Sequence, residues 1–188
     1  MIISLSGANG SGKSTLSQKL SDKLGWPRYS MGTIRREAAL KQGLSLAEYN
    51  KIGEQDPQND RIVDEYQKEL GKTQDNFIID GRTSWYFIPH SLKIYLDVAI
   101  EVGAQRVWKD IQERGQRENE DKNIRSYEDA LKSLKQRRQS DTDRYQKYYN
   151  IDVNDKKHYD YYLDATDLTP EEAFDRVYDF VKSHIDKS

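Results

Sequence analysis

The chain contains no cysteine, which excludes disulfide bonds and thiolate metal sites. Its three histidines, His90, His158 and His184, are too widely separated to predict a metal cluster. The metal chemistry that remains is that of hard oxygen ligands, which favour Mg²⁺.

An excess of charge of either sign is also missing. Lysine and arginine number 30 against 32 aspartates and glutamates, so the net charge is −2. This balance provides no general field that would attract nucleic acid or an anionic membrane, and any basic site must be local. We expect neither of these partners, and we expect a monomer.

Long hydrophobic runs are absent as well. No apolar stretch approaches the ~20 residues that a membrane span needs, and no cleavable signal precedes the first strand pattern. We expect a cytoplasmic protein. The length of 188 residues suits a single domain, and a hydrophobic content of 35% predicts one core that carries polar appendages.

The stretch GANGSGKS, Gly7 to Ser14, fits the phosphate-binding spacing G-x-x-x-x-G-K-[ST]. It follows the apolar strand pattern Ile2–Ser6 and precedes a helix pattern with leucines on one stripe. Glycines allow backbone N–H groups to turn inward, Lys13 can reach the β- and γ-phosphates, and the Ser14 hydroxyl can ligate Mg²⁺. The alternative is a glycine-rich turn that binds nothing, but strand, loop and helix in register favour nucleotide binding.

Further strand patterns alternate with helical patterns along the chain. They are Pro27–Tyr29, Asn76–Asp80, Leu92–Asp97 and Tyr159–Leu163. This alternation predicts an α/β fold, a parallel five-stranded sheet flanked by helices in the three-layer manner of P-loop NTPases.

Two helical excursions interrupt this core, which consists of residues 1–30, 74–100 and 155–188. Residues 31–73 contain a capping box that begins at Ser45, and they are typical of a small subdomain that clasps a substrate. The apolar stripe of this excursion is Ile62, Val63, Tyr66 and Leu70. Residues 101–150 are dense in charges of both signs and predict a helical lid arm.

Two positions after predicted strands combine charges in a way that indicates an anion site. Arg35 and Arg36 fall in the first turns of a helix, where cations oppose the helix dipole unless a phosphate binds there. Solvation or pairing with neighbouring acids is the alternative.

Asp80 and Arg82 end an apolar strand at the edge where α/β sheets bind ligands. Asp80 can orient Mg²⁺ through water, and the forked guanidinium of Arg82 can hold a phosphate.

The charged arm contains Arg137, Asp141 and Arg144 at helical spacings of four and three, near one face. Arginines on a closing arm can neutralise a phosphoryl group during transfer. A solvated, charge-rich helix explains the same residues without function, but the preceding stretches favour the functional interpretation.

These stretches, in this order, resemble the nucleoside monophosphate kinases, and most closely the short cytidylate kinases of the archaeal type. The resemblance covers nearly the whole chain. Besides the phosphate loop it rests on GTIRRE at 32–37, IDGR at 79–82, YEDAL at 127–131, SDTDRY at 140–145 and YNID at 149–152.

The resemblance implies roles for individual residues. Arg36 and Arg82 would hold the phosphate of the acceptor, and Ser30 and Gly32 would shape its pocket. The residues implied in ATP-phosphate binding are Gly7, Ala8, Asn9, Gly10, Ser11, Gly12, Lys13, Ser14 and Thr15. The catalytic group implied is Lys13 with Arg137, Asp141 and Arg144 of the lid, and Ser14 and Asp80 would serve Mg²⁺.

Two departures from the family pattern concern the arm. The segment Gln112–Arg125 is longer than the usual arm, so an ATP-contacting arginine is either Arg114 or Arg117. Thr142 stands where relatives often carry arginine, and Arg138 is a candidate substitute.

The resulting expectation is a P-loop kinase that transfers phosphate from Mg·ATP to a nucleoside monophosphate, CMP or dCMP. Another acceptor, such as AMP or a small metabolite, is the first alternative, because no base-specific pattern is readable in the sequence. An ATP-driven binding or assembly factor is the second. Arg36 and Arg82 argue against it, since they have no evident purpose without a second phosphate.

Overall fold

A computed structural model describes residues 1–115 and 124–186, which contain one parallel sheet of five strands. The strands, numbered β1 to β5 in chain order, are Ile2–Gly7, Arg28–Ser30, Phe77–Asp80, Leu92–Asp97 and Tyr161–Asp164. Their order across the sheet is β2-β3-β1-β4-β5, and all four neighbouring pairs are parallel. The predicted α/β class with a parallel five-stranded sheet is confirmed.

The α-helices of the described residues are numbered α1 to α8 in chain order. They are Lys13–Leu24, Met31–Lys41, Leu46–Gly53, Gln58–Thr73, Ser84–Phe87, Ile100–Arg114, Tyr127–Tyr149 and Pro170–Ile185. Helices α2 to α4 form the excursion between β2 and β3, and α6 and α7 form the arm between β4 and β5. None of the described helices is long and apolar enough to cross a membrane.

Three strands begin one or two residues later than the sequence predicts, for local reasons. Strand β3 starts at Phe77 rather than Asn76, because Asn76 has a left-handed φ of +54°. Strand β2 starts at Arg28 because Pro27 has no N–H to donate and contributes only its carbonyl, which accepts from Ile78. Strand β5 starts at Tyr161 rather than Tyr159, because the Asp160 side chain already accepts the hydrogen bond of the Lys93 N–H at 2.8 Å.

Alternating side chains of the strands supply a separate core on each face of the sheet. On one face Ile3, Leu5 and Ile78 pack with α1 and α8. On the other face Phe77 and Ile79 pack with Val63 and Leu70 of α4 and with other residues of the excursion. The excursion is thereby fixed beside the carboxyl edge of β3.

Central β1 and its neighbour β3 position the site. Leu5 pairs with Asp80 in register, and the Gly81 N–H donates to the Leu5 carbonyl at 3.0 Å. The loop after β1 and the segment Asp80–Arg82 therefore leave the sheet side by side, as ligand sites in α/β sheets require.

Candidate active site

The loop between β1 and α1 approaches the backbone of α6 directly. Gly10 has φ +77°, and a Cβ there would lie 2.4 Å from the Gly103 carbonyl oxygen, so only glycine fits. Helix α1 begins after Gly12 with no side-chain cap and with no acidic residue in its first turn. Its first N–H groups have no intrahelical acceptors, and together with the helix dipole they suit an anionic group.

Lys13 stands at the start of α1 among other cations. Burial and the nearby positive charge of Arg82 lower the pKa of its ammonium to about 8, although Asp80 opposes the shift. Arg137 lowers this pKa further. Positive charge thus outweighs negative charge here, and the phosphates of a nucleotide would offset the excess.

Asp80 ends β3 with both carboxylate oxygens engaged. Oδ2 lies 2.6 Å from Nη2 of Arg28 and accepts from the Ser17 hydroxyl at 3.1 Å, and Oδ1 accepts from the Ser30 hydroxyl at 3.0 Å. Arg28 also donates to Ser17 Oγ at 2.6 Å. Sequence reasoning did not assign Arg28, whose available signal was a cation inside a three-residue strand pattern.

The donor set fits a magnesium ion that arrives with a nucleotide. Residues 1–115 and 124–186 contain no group of three or more acidic or imidazole side chains that would hold a metal alone. Mg²⁺ commonly takes one or two protein oxygens and completes its shell with phosphates and water. The exposed hydroxyl of Ser14 and the carboxylate of Asp80 are oxygen donors of this kind beside the loop.

Arg82 joins the phosphate loop to the arm. Its Nε lies 2.7 Å from Oδ2 of Asp141 on α7, and its Nη2 donates to the side-chain oxygen of Asn9. Burial alone would raise the pKa of Asp141, but Arg82 and Arg144 hold it below its usual range. Asp141 therefore stays ionised as a partner for both arginines.

A second part of this ion network links the arm to the excursion. Nη2 of Arg144 lies 2.7 Å from Oδ1 of Asp141, and its Nε lies 3.0 Å from Oδ2 of Asp60 on α4. Asp60 also pairs with Arg35, whose Nε donates to Asn50 Oδ1 at 2.7 Å. The pKa of Arg144 is raised: burial alone would lower it, but Tyr145 and the two carboxylates outweigh burial.

The loop, the excursion and the arm line a cleft that is partly open to solvent and has an empty volume of about 2050 Å³. Most of the predicted site residues line it. From the loop these are Ala8, Asn9, Gly10, Ser11, Gly12, Lys13, Ser14 and Thr15. From the other elements they are Ser30, Gly32, Arg36, Asp80, Arg82, Arg114 and Arg137.

Other predicted residues lie beside this cleft. Gly7 and Asp141 line a smaller cavity behind the loop, together with Arg138 and Thr142. Arg144 is 1% exposed and is not among the described residues that line either cavity, so its contacts suit a positioning role. Arg117, the alternative to Arg114, lies outside the described residues.

Several cleft residues were missed by the sequence interpretation. Arg106 lines the cleft and donates to the Ala165 carbonyl at 2.8 Å, which fixes the loop after β5. Asp60 and Asp64 line the cleft from α4 of the excursion. The signal that could have found these acids is their spacing of four, which places both on the helix face that carries Val63.

Comparison with known proteins identifies the family of this chain. The profile of the cytidylate kinase-like family matches residues 2–167. The chain belongs to this family. It is 38% identical to the cytidylate kinase of Methanothrix thermoacetophila over 165 residues, 88% of each chain. It is 35% identical to the cytidylate kinase of Pyrococcus horikoshii over 175 residues, 93% of this chain and 84% of that one.

Solved structures agree with this cytidylate kinase-like assignment at the level of the fold. An uncharacterized protein from Eubacterium ventriosum aligns with 97% of this chain and 99% of its own, at a TM-score of 0.69 and 16% identity. Shikimate kinase from Bacteroides thetaiotaomicron aligns with 97% and 98% of the two chains, at a TM-score of 0.64 and 15% identity. The fold is that of P-loop kinases, and membership of a kinase family implies ATP as the phosphate donor.

Proposed function

We propose that the protein transfers the γ-phosphoryl group of Mg·ATP to CMP or dCMP, forming CDP or dCDP. The observation that carries this proposal is the convergence of Lys13, Arg36, Arg82 and Arg137 on one cleft from three helices and the segment after β3. A phosphate loop explains the presence of Lys13 but not that of the three arginines. Cations from the excursion, from the segment after β3 and from the arm suit a second phosphate, that of an acceptor, facing the first. The family's curated cytidylate kinases support the choice of CMP.

In this mechanism the protein contributes position and positive charge. The acceptor phosphate is an adequate nucleophile once charge repulsion is screened, so no Ser, Cys or His nucleophile is required. Lys13 and the arm arginine Arg137 stabilise charge on the transferring group, and Arg36 and Arg82 orient the acceptor phosphate. Ser14 and Asp80 would hold Mg²⁺, which when bound would neutralise charge on the donor phosphates.

We propose one kinase domain in which residues 31–73 bind the acceptor and residues 101–150 form the lid. We also propose a cytoplasmic monomer that acts on nucleotides and binds neither nucleic acid nor membrane, because the net charge of −2 provides no general attraction to polyanions.

The test is an acceptor panel. Purified protein is incubated with Mg·ATP and each of CMP, dCMP, UMP, AMP and GMP, and ADP formation is compared with a control that lacks acceptor. We expect strong stimulation by CMP or dCMP and slow hydrolysis in the control, since closure of the lid excludes water as acceptor. Preference for AMP would keep the mechanism and change the substrate. Fast unstimulated hydrolysis would indicate an ATP-driven switch instead.

A further inference from the structure

We propose that Asp64 reads the base of the acceptor, accepting a hydrogen bond from the 4-amino group of cytosine and disfavouring the 4-keto group of uracil. The proposal rests on the proposed function, because it names the base specificity of the same acceptor site.

Asp64 lines the cleft together with apolar side chains that could pack against a flat ring. It stands one helical turn after Asp60 on α4 and is 5% exposed. Met31, Leu46 and Val63 line the same cleft, and all three are buried apolar side chains. Small-molecule sites combine such apolar walls with a few polar groups that fix the orientation of the ligand.

The buried carboxylates of the site differ in their partners. Asp60, Asp80 and Asp141 each form an ion pair with an arginine. In residues 1–115 and 124–186 Asp64 forms no ion pair, and its partner is the Tyr149 hydroxyl, which donates to Oδ2. A buried carboxylate without a cation is energetically unfavourable, so its presence in a ligand cleft calls for a ligand that donates a hydrogen bond.

Tyr149 leaves one oxygen of Asp64 for that ligand. The hydroxyl engages Oδ2, and Oδ1 accepts no hydrogen bond from the described residues. Burial raises the pKa of Asp64 to about 6, although the hydrogen bond from Tyr149 opposes the shift. Above that pH the group is mainly ionised, and an ionised carboxylate can only accept.

This acceptor distinguishes the two pyrimidines. The 4-position of cytosine carries an amino donor, and a carboxylate is a natural partner for it, whereas the 4-position of uracil carries an oxygen acceptor. Two acceptors that face each other in a closed site are both left without a partner. Sites built around a specific hydrogen bond reject an analogue that cannot form it far more strongly than apolar pockets reject a size difference.

The experiment compares kcat/KM for CMP, dCMP and UMP in the wild type and in Asp64→Asn, at a pH about two units above the pKa of Asp64. The amide keeps the size of the side chain and can donate to a keto oxygen. We expect kcat/KM for CMP and dCMP to fall about 10- to 100-fold, in line with the loss of one discriminating hydrogen bond. We expect kcat/KM for UMP to stay unchanged or to rise.

Two further variants complete the design. Glu65→Gln is the matched control, because Glu65 is an exposed acid on the same helix whose partner is Lys68 at 2.7 Å, and it should leave the CMP-to-UMP ratio unchanged. Tyr149→Phe removes the hydrogen bond to the Asp64 carboxylate but keeps the carboxylate. It should lower the CMP-to-UMP ratio of kcat/KM by a smaller factor than Asp64→Asn does. If Asp64→Asn does not fold, Tyr149→Phe tests the proposal on its own, because an unchanged CMP-to-UMP ratio in that variant would overturn it.

The outcomes separate this proposal from the proposed function. If the wild type phosphorylates CMP and Asp64→Asn lowers CMP and UMP turnover equally, base reading is wrong and the function stands. A loss confined to CMP, with dCMP unaffected, would assign Asp64 to the ribose hydroxyl and overturn base reading as well. If the wild type shows no CMP turnover, the proposed function itself fails.

Discussion

Nε of Arg144 lies 3.0 Å from Oδ2 of Asp60, and this contact joins helix α7 of the arm to helix α4 of the excursion. The same guanidinium reaches Asp141, which pairs with Arg82 beside the phosphate loop. On its other side Asp60 pairs with Arg35. Five alternating charges therefore connect the three elements that enclose the cleft, and the arm and the excursion cannot separate without breaking a buried ion pair.

Arg144→Met should destabilise the protein strongly, because it leaves Asp60 and Asp141 buried with less compensating charge. Breaking a buried pair by removing one partner typically costs about 3–5 kcal/mol. Urea unfolding followed by circular dichroism measures the free energy of unfolding. Lys135→Met, an exposed cation on the same helix, is the control.

A double variant tests whether the contact between Arg144 and Asp60 is responsible. Asp60→Asn combined with Arg144→Met should destabilise by less than the sum of the single variants, since each single change already breaks the pair. Additive effects, or an Arg144→Met protein as stable as the Lys135→Met control, would show that the network does not hold the arm to the excursion.

ATP affinity should depend on the protonation of Lys13. Its pKa is about 8 because burial and Arg82 both disfavour the ammonium ion. Bound phosphates favour that ion and raise the pKa, so binding takes up a proton when the free lysine is neutral. Affinity is therefore full below the free pKa and falls as the pH rises through it, by up to about tenfold per pH unit.

Titration calorimetry across that pH range, in buffers of different ionisation heat, measures both the affinity and the proton uptake. Lys13→Arg is the control, because a guanidinium stays charged throughout and should remove the pH dependence. A flat affinity profile in the wild type would contradict a lowered Lys13 pKa in the free protein.

The parts of this site that the sequence predicted are those with strong local signals. The phosphate loop has a fixed spacing between a strand and a helix, and Asp80 and Arg82 stand directly at the end of an apolar strand. Parallel strands place their carboxyl ends at one edge, so the meeting of these segments followed from the sheet alone.

The parts that were missed depend on tertiary pairing. The apolar stripe predicted for α4 was wrong at Ile62 and Tyr66, which are 57% and 39% exposed. The face that is buried instead includes Asp60, Asp64 and Gln67, whose side chains contact partners on distant segments. Hydrophobic periodicity cannot identify a polar face whose partners lie on other helices.

Arg82→Lys should impair catalysis although it keeps the positive charge. Arg82 contacts Asp141 through Nε and Asn9 through Nη2, and a lysine ammonium cannot reproduce this fork. We expect kcat/KM for CMP to fall on the order of 10²-fold, and Arg82→Ala or Lys13→Ala to lower the rate by about 10²- to 10³-fold. Steady-state kinetics with Arg61→Lys, an exposed arginine of α4, as control measures the effect. Turnover near the wild-type value in Arg82→Lys would reject the role of the fork.

Gly103→Ala should displace the phosphate loop by steric overlap. Gly103 lies on α6, and a Cβ there would be 2.7 Å from the backbone oxygen of Asn9 and 3.2 Å from Cγ1 of Val98. A backbone oxygen cannot move aside as a flexible side chain can, so the loop itself must shift. Overpacking of this kind typically costs about 1–3 kcal/mol. We expect a lower melting temperature, and a smaller rise of that temperature on adding Mg·ATP than the wild type shows, because the loop amides no longer align on the phosphates.

Gln105→Ala, an exposed position on the same helix, should leave both quantities unchanged. A Gly103→Ala protein with a wild-type response to Mg·ATP would mean that the loop tolerates the displacement and that its contact with α6 does not control nucleotide binding.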